Sequence, residues 1–293
     1  MSPKDLLLIS VVIISWGLNF VVIKVGLNDV PPLLLGALRF CVLAIPAFFI
    51  KRPKVAFGWL LLYGLTISFG QFAFLFSAIS FGMPAGLASM VLQSQAFFTL
   101  FLAVLFLGEK FYAQNILGLL ISAAGLGIIG LQGGASVPLL GLSLTLAAAF
   151  AWAIGNIVMK KLSNIDMVSL TVWGGLVPII PFFVASYIFE GPKTITHSLT
   201  HLNLTTVFVL FYLAFIATLL GYSIWGKLMA KYKASQVAPF SLLVPIIGIT
   251  SSAYFLNEKL TIVEIAGALL VMLGLVVNIF GRRIMNKFEF MFR

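Results

Sequence analysis

Charge is scarce in this sequence. Only 9% of its 293 residues are Asp, Glu, Lys or Arg, and 61% are hydrophobic. Soluble domains carry about a quarter charged residues. A water-soluble fold of this length could not cover so much apolar surface, so that class is excluded. The single cysteine, Cys41, excludes an intramolecular disulfide and leaves the redox compartment unmarked. The two histidines, His197 and His201, share one gap between apolar runs, and no Cys/His cluster is present to hold a metal. No glycine-rich loop ends in Gly-Lys-Ser/Thr, which excludes an ATP-driven pump within the chain. No cofactor is therefore expected.

What remains is long apolar runs, and a membrane helix needs about 20 such residues. Ten runs are read: 6–26, 32–50, 57–77, 85–107, 112–131, 139–159, 167–188, 205–226, 236–256 and 262–281. Turn residues mark most gaps, among them Pro31-Pro32, Gly82-Met83-Pro84, Gln132-Gly133-Gly134 and Gly191-Pro192. The longest gap, roughly 189–204, is polar and reads as an external loop. The first run, Leu6 to Leu27, is too long for the apolar core of a signal peptide.

The net charge of +10 is spread over short gaps rather than gathered on a patch, which argues against nucleic acid. It sets orientation instead. With both termini cytoplasmic, the inner side receives Lys4, Lys51, Arg52, Lys54, Lys110, Lys160, Lys161, Lys227, Lys231, Lys233, Arg282, Arg283, Lys287 and Arg293. The outer side receives only Lys24, Lys193 and Lys259, so the positive-inside rule favours this orientation.

The halves echo each other. Leu107-Gly108-Glu109-Lys110 matches Leu256-Asn257-Glu258-Lys259 at an offset of 149, and the same offset carries Gly118 onto Gly267 and Gly125 onto Gly274. Trp16 with Lys24 echoes Trp152 with Lys160. Residues 1–135 and 136–293 are thus read as two repeats of five spans each. Five is odd, so the second repeat crosses the membrane in the opposite sense. Such inverted repeats suit a carrier, with a substrate site near the midplane between them.

Polar residues inside spans mark the candidate site, because lipid penalises them unless they face the interior. Trp16, Phe20 and Lys24 share a face of the first span, with Asn19 beside them. Trp152, Asn156 and Lys160 form the related stripe in the sixth. Both lysines also fit a reading as ends that snorkel to the surface. Arg39 lies about two turns into the second span and suits a forked grip on a substrate carboxylate. It equally suits a contact to helix-end carbonyls or a snorkelling position. Tyr63, Ser68 and Gln71 in the third span, Ser89 and Gln93 in the fourth, Thr218 and Tyr222 in the eighth and Ser241 in the ninth add neutral polar groups. Each of these also serves as glue between membrane helices. The stripe Gly118, Ser122 and Gly125 reads as close packing, within the chain or at a dimer interface, leaving monomer and homodimer both open.

The acidic residues are Asp5, Asp29, Glu109, Asp166, Glu190, Glu258, Glu264 and Glu289, all in gaps or at span ends. Proton-coupled carriers keep such groups inside the membrane. Facilitated or exchange transport is therefore expected, with Glu264 the residue that tests it. A membrane-embedded lipid enzyme would need the same missing groups, so a non-enzyme is expected.

Trp16-Gly17-Leu18-Asn19-Phe20, Leu38-Arg39-Phe40, the Gly-Glu-Lys after span four and the two five-span repeats resemble the drug/metabolite transporter superfamily and its EamA group. Tyr63 to Phe69, Phe81 to Gln93 and Ala238 to Pro245 resemble its bacterial O-acetylserine/cysteine exporters more closely. The resemblance implies an all-α inner-membrane protein of ten helices in two inverted repeats. It also implies efflux of small polar amino-acid metabolites through a central cavity, in contact with the lipid bilayer. A broader exporter of aromatic or hydrophobic metabolites is the alternative. The chain departs from the family pattern at one place. Such repeats carry a proline midway along the fourth helix, filled by Pro245 in the second half but by Ala96 in the first, which implies a helix break in one half only.

Overall fold

The computed structural model describes residues 1–110, 112–131, 138–162, 164–232 and 237–291, the side chains of Met229, Ala230, Ala238, Pro239 and residues 282–291 excepted. Lys233, Arg293 and the Gln132-Gly133-Gly134 turn therefore fall outside what is described, as do the side chains of Arg282, Arg283, Lys287 and Glu289.

Among the described residues the chain is all-helical. Eight helices are long and apolar enough to cross a membrane: α1 (Pro3–Gly26), α3 (Phe57–Ser80), α4 (Ala85–Leu107), α5 (Ala113–Leu131), α6 (Leu139–Lys161), α7 (Met167–Phe189), α9 (Leu204–Leu228) and α11 (Ile262–Gly281). Two shorter apolar helical segments, α2 (Pro32–Phe48) and α10 (Phe240–Leu256), fill the remaining expected places. The segments fall where the apolar runs do. In lipid a helix satisfies every backbone polar group within its own segment.

The long polar gap is not all loop. Residues Pro192–Thr200 form a short amphipathic helix, α8. Proline at its first position and the i, i+4 pair Ile195 and Leu199 explain why it forms.

Large apolar side chains point outward along the bundle, including Phe101, Leu105, Phe106, Leu117 and Leu120. They would be a liability in water and are ordinary against lipid. The interior holds the main cluster, which includes Phe20, Leu34, Phe40, Phe72, Phe76, Leu87, Phe182 and Leu213.

α5 packs against α11 through backbone-to-backbone approach. A Cβ on Gly118 would lie 2.5 Å from the Gly274 carbonyl oxygen, and one on Gly125 2.5 Å from that of Gly267. Ser122 donates to the Val271 carbonyl at 3.0 Å and Asn115 to Asn278 at 2.6 Å. The small-residue stripe is thus used for close packing inside one chain, the first of the two readings its sequence allows.

Helical irregularities occur in four of these helices. A π-helical stretch covers Gly64–Gly70 in α3, and another covers Tyr212–Leu220 in α9. Tightened 3-10 turns cover Leu92–Ser94 in α4 and Ala238–Leu243 at the start of α10. The expected one-sided break is therefore corrected. The fourth helix of the first half tightens as well, from Leu92-Gln93-Ser94 with no proline in the turn.

Cross-helix ties close both ends of the bundle. At the end carrying the N-terminus, Asp5 accepts from Lys231 at 2.7 Å and from Tyr232 at 2.6 Å, and Lys160 pairs with Glu109. At the other end, Glu258 accepts from the backbone N–H groups of Ala85 and Gly86, at 2.8 and 3.0 Å. Glu190 does the same for Leu33 and Leu34, at 2.6 and 3.0 Å. Each carboxylate satisfies orphan donors at the N-terminus of a helix from another part of the chain.

Candidate substrate site

Arg39 decides where the site is. It sits seven residues past Pro32, so about 10 Å below the end of α2 at 1.5 Å per residue. It is only 1% exposed, which excludes snorkelling. Its guanidinium carbon stands 3.8 Å from the centre of the Phe72 ring and within 6 Å of Phe40 (5.6 Å) and Phe76 (5.8 Å). Nη2 donates to the Thr218 hydroxyl at 2.6 Å, and Thr218 in turn donates to the Leu213 carbonyl. That carbonyl lies in the π-helical stretch of α9. The contact to helix-end carbonyls is thus replaced by a hydroxyl. Nε and Nη1 are buried without a partner, and among the described residues Arg39 forms no ion pair.

Beside it lies a small cavity of about 10 Å³, lined by Phe40, Tyr63, Ile67, Ser68, Phe72, Thr171, Thr218 and Tyr222. α2, α3, α7 and α9 all reach it, and both π-helical stretches border it. π segments displace one residue from the regular ladder and recur at functional sites. Tyr222 lies within electrostatic reach of Arg39, has the Gln71 side chain beside it, and packs tilted against Trp16 with ring centres 5.3 Å apart. Trp16 donates its indole N–H to the Ala217 carbonyl at 2.9 Å. Gln71 is buried, and its Oε1 has no partner. Tyr63 and Thr171 lie side by side on the cavity wall.

Seven expected residues are therefore brought together: Arg39, Tyr63, Ser68, Gln71, Thr218, Tyr222 and Trp16. Asn19 and Phe20 follow Trp16 on α1 and are buried, Asn19 with its Oδ1 unpartnered. Trp152 packs against the cluster that holds Tyr63 and Ile67. The rest are drawn into helix seams. Gln93 donates to the Ser241 carbonyl at 2.8 Å, and Ser89 crowds Gly248, so these three sit where α4 meets α10. Asn156 donates to Gln95 at 2.8 Å and Thr99 at 3.1 Å, joining α6 to α4. Of the lysines, Lys160 serves the Glu109 pair and Lys24 is half-buried. Sequence reasoning missed Thr171 and the phenylalanine cage. The one local signal was Phe72 and Phe76 at i, i+4; its closure on Arg39 is a tertiary contact.

The profile of the EamA-like transporter family matches residues 4–131 and again 139–280. The chain belongs to the EamA-like transporter family. It is a multi-pass protein of the bacterial inner membrane. Among EamA-type relatives it is 52% identical to the probable amino-acid metabolite efflux pump of Escherichia coli (strain K12), over 97% of both chains. It is 51% identical to the probable amino-acid metabolite efflux pump of Salmonella typhimurium, again over 97% of each. The uncharacterized transporter YvbV of Bacillus subtilis is 29% identical, with 92% of this chain and 90% of that one covered. A solved crystal structure at 17% identity superposes with a TM-score of 0.64, covering 95% of this chain and 98% of the other, which shows a shared fold alone.

Proposed function

We propose that this chain exports small amino-acid metabolites, such as O-acetylserine and cysteine, by alternating access. The observation that carries the reading is Arg39, a buried guanidinium with two unpartnered nitrogens and no ion pair among the described residues. A carboxylate completes it in forked geometry and compensates its charge. The cavity's hydroxyls suit a small polar side chain. The efflux-pump relatives support the substrate class and the outward direction.

In this reading residues 1–135 and 136–293 are two inverted five-helix repeats with both termini cytoplasmic, and the paired π-helical stretches are their matching hinges. Arg39, Gln71, Tyr222 and Trp16 contact substrate directly, with Asn19, Phe20 and Trp152 around them. Ser89, Gln93, Ser241 and Asn156 act at seams that slide as the repeats exchange positions. Flux is facilitated or by exchange.

The test is uptake of labelled O-acetylserine and cysteine by proteoliposomes without an ion gradient, against empty liposomes and a large aromatic amino acid. Selective equilibration is expected. Uptake that begins only when a pH gradient is imposed overturns the facilitated mechanism, and no uptake in either condition overturns the substrate class.

A further inference from the structure

The polar groups left unpaired around Arg39 have two signs. Arg39 Nε and Nη1 are buried donors without acceptors, and Gln71 Oε1 is a buried acceptor without a donor. Gln71 is 3% exposed, and its side chain lies beside Tyr222, the same residue that lies within electrostatic reach of Arg39 and lines the cavity. A buried amide with an orphaned carbonyl is costly, and one orphan of each sign in one cluster describes the complement of a ligand with both.

We infer that the Gln71 side-chain carbonyl accepts the free ammonium group of the substrate while Arg39 holds its carboxylate, so that an unblocked α-amine is required. This rests on the carrier reading above. The residues that meet the amine are neutral: Gln71 carries the acceptor, and Tyr63, Ser68 and Tyr222 supply hydroxyl oxygens. No described residue in this cluster is acidic. The site therefore reads a net-neutral zwitterion and has no anion to hold a second positive charge. Tyr222 acts as a positioning residue, since it fixes which way the amide points.

The experiment compares proteoliposome uptake of labelled O-acetylserine, its deamino analogue 3-acetoxypropanoate, and N-acetylserine, in wild type and in Gln71→Leu and Tyr222→Phe. In wild type the free amine is favoured over the deamino analogue by about 30-fold or more, because the analogue leaves the amide oxygen unpaired. N-acetylserine is also disfavoured. In Gln71→Leu the ratio falls toward unity, and in Tyr222→Phe it falls part-way. The ratio is the readout, since poor folding lowers both fluxes and leaves it unchanged. Equal wild-type uptake of amine and deamino analogue overturns the inference and leaves the carrier intact. So does a ratio that survives Gln71→Leu. Uptake of none of the three by wild type overturns the carrier reading instead.

Discussion

Replacing Arg39 by methionine separates a binding residue from a structural one. An ionised side chain deep in a membrane costs about 2.5–3.5 kcal/mol on insertion scales. Here it is offset by a charged hydrogen bond to Thr218, about 1.5–3 kcal/mol. The Phe72 face adds about 0.5–2 kcal/mol. These terms nearly cancel, so the unloaded Arg39→Met protein stays within roughly 2 kcal/mol of wild type. Binding is another matter. Losing one partner of a buried charge pair costs about 2–5 kcal/mol, or roughly 30-fold to several-thousand-fold in affinity. The assay is paired: the thermal midpoint of detergent-purified protein with and without O-acetylserine, and uptake per folded molecule. A near-normal midpoint without substrate, no substrate-induced rise and a lost flux are expected. Arg39→Lys, which keeps the charge but not the fork, should fall between. A collapsed midpoint with normal flux in the surviving protein would refute the reasoning and make Arg39 structural.

Three further outcomes follow from the packing. Gly118→Val and Gly125→Val each push a side chain into a facing backbone carbonyl 2.5 Å from its Cβ, so each should cost about 1–3 kcal/mol in thermal stability, measured by unfolding in micelles. Glu258→Ala leaves the Ala85 and Gly86 N–H groups uncapped and frees α10 from α4; cysteines introduced at that end should become more accessible to aqueous thiol reagents. Glu264 is buried and makes a capping box with Thr261, accepting from its N–H at 2.6 Å while its own N–H donates to the hydroxyl at 3.2 Å. Glu264→Gln should keep uptake near wild type with no dependence on an imposed pH gradient, and loss of pH-driven flux would show that it carries protons.

The positions of the helices were legible because a spanning helix leaves a long apolar run that nothing else produces. The exception is α8, where Ile195 and Leu199 were too few to stand out from polar neighbours. The site was half legible. Arg39, Gln71 and Tyr222 stood out as polar residues in apolar runs, and they meet. Ser89, Gln93, Ser241 and Asn156 stood out equally and line helix crossings, because lipid-buried seams and cavities select the same neutral amides and hydroxyls. Sequence periodicity cannot separate the two, since each faces the bundle interior. The phenylalanine cage and the Thr218 bond bring Arg39 together with residues up to 179 positions away, a pairing that no local pattern encodes.

The most direct test of the account is competition. Labelled O-acetylserine flux into proteoliposomes is measured against excess unlabelled O-acetylserine or its carboxamide, which differs only in the group assigned to Arg39. The account predicts that the acid suppresses the flux and the carboxamide leaves it nearly untouched. Equal suppression by both would contradict it, because a substrate recognised without its carboxylate is not held by Arg39.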